Sequence, residues 1–152
     1  DLKAAPAGKV PTFLIAAMKD PAGANLDRVQ VVKGWVDADG KQNEAIYNVV
    51  WSDAEKRQEV NGKLPAVGDT IDLATATYQN TIGAPNLIGT FTDPSFDPKL
   101  RAFYYVRVLE IPTPRWTAYD AVRYKVKMDP EVTMTVIERA ITSPIWYSPS
   151  GT

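Results

Sequence analysis

The sequence contains neither cysteine nor histidine. Without Cys there is no disulfide framework, no thiolate metal site and no sulfur nucleophile. Without His the commonest general base and the commonest metal ligand are both missing. Neither a Ser–His–Asp triad nor a His-ligated zinc site can be assembled from this chain. Long apolar runs are also lacking. None approaches the ~20 residues a membrane helix requires. The stretch Phe13-Leu14-Ile15-Ala16-Ala17-Met18 has the length of a strand. No signal peptide is visible. An excess of one charge is absent too: 17 Lys and Arg face 18 Asp and Glu, for a net charge of −1. That balance does not point to nucleic acid as a partner. The chain opens with Asp1 rather than Met, which reads as a piece trimmed from a longer product.

What is present suits one β-rich domain. The 152 residues are 45% hydrophobic, enough to build a real core. Twelve Pro and nine Gly punctuate the chain at short intervals. Between them lie runs rich in Val, Ile, Thr and aromatics, predicting strands over 11–19, 28–37, 44–51, 71–78, 87–92, 101–111, 133–140 and 144–147. The clearest hairpin joins 28–37 to 44–51 through Asp37-Ala38-Asp39-Gly40-Lys41. On its second strand, Ile46, Asn48 and Val50 alternate with Tyr47, Val49 and Trp51. The segment 101–111 (RAFYYVRVLEI) is apolar on both faces, which predicts a central strand packed on each side. Pro112 and Pro114 should stop pairing after it, since proline cannot donate a ladder hydrogen bond. Residues 53–63 read as a loop or a short helical turn, and 116–124 as a short helix with Thr117 as its cap. The expected fold is an all-β, immunoglobulin-like sandwich with one short helix; an α+β arrangement is the alternative.

Few residue patterns suggest chemistry. Asp37-Ala38-Asp39-Gly40 starts like a calcium loop, but the twelfth position, which should be a bidentate Glu, is Asn48. A hairpin turn explains the same residues. Asp93 and Asp97 flank Phe96 between prolines, where turn formation is the simpler reading of the two carboxylates. Four Trp and seven Tyr could form a sugar-stacking platform, or fill a core. Arg115 and Trp116 follow Pro112 and Pro114 directly, in a stiff loop beyond the strongest strand. Arg115 can clamp a carboxylate or phosphate through its fork, or pair structurally with Asp120 or Glu110.

Four segments carry a resemblance: 28–40 (RVQVVKGWVDADG), 101–116 (RAFYYVRVLEIPTPRW), Tyr119-Asp120-Ala121, and 138–147 (ERAITSPIWY). Over nearly its whole length the chain resembles the C-terminal part of a bacterial family that carries only a domain-of-unknown-function label. That family is similar to the PHP (polymerase and histidinol phosphatase) metallohydrolases, whose His- and Asp-rich metal motifs lie in a preceding domain. No such motif occurs here, so no metal ligand carries over to any residue of this chain. The ending Ser143-Pro144-Ile145-Trp146 is similar to the last strand of the sandwich that follows the metal domain.

The resemblance implies that 1–152 is a single C-terminal accessory sandwich, with the catalytic N-terminal domain outside it. It would be non-catalytic, without a cofactor of its own, and packed on a parent hydrolase that uses a divalent metal. Its partner would be its own N-terminal domain, with no nucleic acid and no membrane span, in a periplasmic or secreted setting. The candidate ligand or domain-contact residues are Arg115, Trp116, Tyr119, Asp120 and Trp146. The alternative function is a carbohydrate- or small-ligand-binding module.

Overall fold

A computed structural model describes residues 2–3 and 8–149. Its elements, in chain order, are β1 (Leu2–Lys3), β2 (Thr12–Met18), β3 (Leu26–Val36), β4 (Gln42–Trp51), β5 (Asn86–Thr92), β6 (Ala102–Glu110), β7 (Thr113–Pro114), α1 (Trp116–Tyr124), β8 (Thr135–Val136), β9 (Arg139–Ile141) and β10 (Ile145–Ser148). The main sheet runs β1-β10-β6-β3-β4, and β9 shares with β10 the same side of β6. A ribbon of β2 and β5 lies over it, and β7 and β8 form a further small pair. The architecture is an all-β sandwich-like fold with one short helix.

Strand alternation builds the core. Val29 and Val31 of β3 and Tyr104 of β6 face inward from the main sheet, and Ile15, Leu87 and Phe91 face them from the ribbon. Burying each of these large side chains contributes roughly 1.5–3 kcal/mol. Aromatic contacts cross the two layers: Phe13 lies 5.1 Å from Tyr104, and Tyr47 lies 5.0 Å from Phe91.

The hairpin of β3 and β4 closes on a turn organised by Asp37. Its Oδ1 accepts the amides of Asp39 (3.1 Å) and Lys41 (2.9 Å), and its Oδ2 accepts from Asn43 (3.1 Å). The Asn43 and Lys41 bonds hold the Asp37 carboxyl below its ordinary pKa. Both oxygens thus serve the turn. The hairpin also contains a bulge. Val29 pairs with Val50 and Gln30 with Asn48, so Val49 is the extra residue. This corrects the simple alternation: Ile46 and Asn48 stay on the outer face, while Val50 turns toward Val29 and the core.

Other expectations need correction. Residues 71–78 are not a strand; they hold one isolated bridge, Asp72 with Thr77, around a turn. The Asp72 carboxylate accepts from the Ala74 amide and the Thr75 hydroxyl, so local side-chain bonding overrides the β propensity of the threonines. The segment 133–140 supplies only β8 and the start of β9. Pro114 does not end pairing, because β7 bridges to β8 with Pro114 opposite Thr135. The helix spans 116–124 as expected, but Arg115 is its N-cap and makes no side-chain cap bond. Thr117 instead donates to the Thr133 carbonyl at 2.6 Å, tying the first turn to the segment before β8.

Candidate functional site

Three polar or aromatic constellations stand out. The first surrounds the start of α1. Trp116, Tyr119 and Asp120 lie three and four residues apart, on one face of the helix. Trp116 is 62% exposed, and the Arg115 guanidinium carbon sits 5.8 Å from its ring centre. Among the described residues Arg115 takes part in no ion pair. Its pairing with Asp120 or Glu110, which the sequence left open, is not made. Glu110 is instead crowded by carboxylates: burial, Glu138 and Asp20 raise its pKa above the ordinary value, against a smaller opposing effect of Lys19.

The second constellation lies at the opposite end of β6, on the outer face of the main sheet. Trp146 pairs with Phe103 across β10 and β6, and their ring centres are 5.2 Å apart. Phe103 in turn stacks toward Tyr105 at 6.4 Å, with the two rings 10° from parallel. Beside this aromatic row a groove of about 590 Å³ opens, lined by Gly34, Asn43, Glu44, Arg101, Phe103 and Trp146. No helix or strand among the described residues covers this face. Trp146 is 52% exposed, Ile46 47% and Ile141 61%. A polar ladder crosses the same face. Arg107 donates to Gln30 (2.7 Å), Gln30 to Asn48 (2.8 Å) and Asn48 to Glu59 (2.7 Å).

Arg115, Trp116, Tyr119 and Asp120 are therefore brought together, and Trp146 is not among them. From Phe103 to Glu110 the strand alone spans about 23 Å at its usual rise per residue. The groove residues Gly34 and Phe103 were not singled out from sequence. The signal was there in part: an isolated Gly inside a strand pattern marks a close approach.

The third constellation is buried between the layers. Lys33 Nζ lies 2.6 Å from Asp93 Oδ2, and both side chains are almost wholly enclosed. Tyr104 donates its phenol to the same oxygen at 2.6 Å. The Ser95 amide donates to Asp93 Oδ1 at 2.9 Å, and Lys33 donates to the Ser95 carbonyl at 2.9 Å. Burial alone would raise the Asp93 carboxyl, but the bonds from Lys33, Tyr104 and Ser95 outweigh it and hold the group below its usual range. Burial and the bond to Asp93 push the Tyr104 phenol far above its ordinary value, so it stays protonated and donates. A comparable buried pair joins Arg57 to Asp27 at 2.7 Å, with Ser52 and Pro65 accepting the remaining guanidinium bonds.

A family model described as Protein of unknown function (DUF3604) matches residues 1–149. The chain belongs to that family. No curated protein and no solved structure matches this DUF3604 chain. Among its described residues there is no group of three or more His, Cys, Asp or Glu placed to hold a metal ion. The divalent metal implied by the PHP resemblance therefore finds no fitting donor set among the described residues. Among the described residues no helix is long and apolar enough to cross a membrane.

Proposed function

We propose that this DUF3604 chain is the non-catalytic C-terminal accessory domain of a metal-dependent, PHP-like hydrolase. It packs on the catalytic domain and leaves the chemistry to it. The observation that carries this reading is the outer face of the main sheet, where Trp146 with Phe103 and Tyr105 with Ile46 occupy adjacent ranks and Ile141 lies opposite Arg107 in the next. Contiguous apolar patches of this kind mark surfaces that another protein body covers. β1 pairs in parallel with β10, with Leu2 opposite Tyr147, the neighbour of Trp146. At the far end of β6, Arg115, in no ion pair among the described residues, forms with Trp116 and Tyr119 a cationic-aromatic corner suited to reach toward an anionic substrate.

Immunoblotting of cells that make the protein, with an antibody raised against this domain, tests the reading. A band far above 16.7 kDa is expected. A band near 16.7 kDa would mean that the domain acts alone and would overturn it.

A second reading draws on the groove itself. Stacked rings beside the planar polar groups of Asn43, Glu44 and Arg101 are the chemistry that holds a sugar ring. Titration of the purified protein with a panel of glycans, followed by Trp fluorescence, tests it. A saturable change supports a carbohydrate-binding module, and a flat response across the panel rejects it.

A further inference from the structure

The buried Lys33–Asp93 pair is surrounded by donors to both oxygens of the carboxylate. We infer that Lys33 and Asp93 condense into an intramolecular amide that covalently joins the two layers of the sandwich. Lys33 sits on β3 in the main sheet, and Asp93 directly follows β5 of the ribbon. The 2.6 Å contact between Nζ and Oδ2 leaves the nitrogen one carbon–oxygen bond away from the carboxyl carbon it would attack.

The groups around the carboxyl are arranged for acyl transfer. Oδ1 faces two donors, the Ser95 amide at 2.9 Å and the Ser95 hydroxyl at 3.3 Å, which can hold the oxyanion of a tetrahedral intermediate. Oδ2 faces the Tyr104 phenol at 2.6 Å, a proton donor aimed at the leaving oxygen. The shell is aromatic: Trp35 lies 5.0 Å from Lys33 Nζ, and Phe13 packs on Tyr104. Such a shell, around side chains only 4% and 0% exposed, limits the water that would hydrolyse the product.

The step balances without a co-reactant. A proton passes from the Lys33 ammonium to the Asp93 carboxylate, leaving an amine and a carboxylic acid. The amine lone pair forms a bond to Cγ, and negative charge collects on Oδ1. The bond from Cγ to Oδ2 then breaks. Oδ2 leaves as water, with its second proton taken from the former ammonium nitrogen through the Tyr104 hydroxyl. Nothing is oxidised or reduced. The bonds that keep Asp93 ionised make the first proton transfer infrequent, which a single event in the lifetime of the protein tolerates. Condensation also removes two buried charges whose desolvation is costly.

Mass spectrometry of the purified, aged protein decides the matter. The intact mass should be lower than the sequence mass by one water, and a tryptic digest should contain a branched peptide joining Lys33 to Asp93. The Lys33→Arg variant keeps a cation beside Asp93 and should show the full sequence mass. A wild-type protein at full mass without the branched peptide overturns the inference. So does a water loss that maps elsewhere, such as the Asp39-Gly40 turn.

Discussion

Phe103 lays its ring over Gly34 of the neighbouring strand. A β-carbon added to Gly34 would stand 2.3 Å from the ring tip, far inside any real contact. The glycine is therefore the floor on which the aromatic row rests, and the ring fills the space that a side chain would occupy. Gly34→Ala should swing Phe103 outward and break its contact with Trp146. The expected cost is ~1–3 kcal/mol, typical of inserting a methyl into a packed site. Urea denaturation measures the loss, and the Trp emission spectrum reports the displaced ring. An unchanged midpoint and spectrum would refute the account of the groove floor.

Arg57 anchors the irregular segment after β4 through five hydrogen bonds, to Asp27, Ser52 and Pro65. Arg57→Met removes the cation and leaves the Asp27 carboxylate buried with only the more distant Arg28 at 3.5 Å. The expected destabilisation is ~3–5 kcal/mol, the range for breaking one side of a buried pair. A loss below about 1 kcal/mol in chemical denaturation would show that water replaces the guanidinium at no great cost.

Glu110 gives a pH test with a defined sign. Its pKa is raised in the folded state, so the native protein binds this proton more tightly than the unfolded chain does. Stability from this group is present below the ordinary Glu value and falls as pH rises through the raised folded value. Glu110→Gln should therefore stabilise the protein at pH 7, by less than about 1 kcal/mol for a partly screened group. The gain should vanish near pH 3.5, below the ordinary Glu pKa of about 4.3. Paired melts at the two pH values check this, and a gain confined to the acid side would reverse the assignment.

Arg115 tests the corner at the start of α1. In the full protein, Arg115→Ala should leave the melting temperature nearly unchanged, because the side chain makes no ion pair among the described residues. It should weaken substrate affinity or turnover by about 10-fold, the scale of one lost charge-assisted contact. Full retention of both would remove Arg115 from the site.

The sequence made the strands legible where alternation and β-branched residues agreed. Val29, Val31 and Val36 flagged β3, and the run 101–111 flagged β6. The helix was legible as well, but not its cap, because Thr117 found a better acceptor in the Thr133 carbonyl. The threonines of 71–78 misled because an Asp side chain decided that turn locally. Two apolar faces on β6 suggested cover on both sides; on its outer face Leu109 is buried, while Phe103, Tyr105 and Arg107 are only half-buried and no strand or helix among the described residues lies over them. Of the candidate site residues, those near 115–120 meet because they are close in sequence. Trp146 lies apart because β10 pairs with the opposite end of β6, a relationship fixed by register and invisible in composition.

β9 and β10 divide one side of β6 between them, and Thr142 stitches the gap by exchanging bonds with Val106. That side of β6 is closed only by residues that the ribosome adds more than 25 positions after the strand itself. During synthesis, β3, β4 and β6 can already be paired while a long hydrophobic edge waits for its partners. A nascent chain paused in this interval displays Phe103 to Leu109 as an open template for any extended segment nearby. Chaperone demand should therefore rise once β6 has emerged and fall once residues 139–148 emerge.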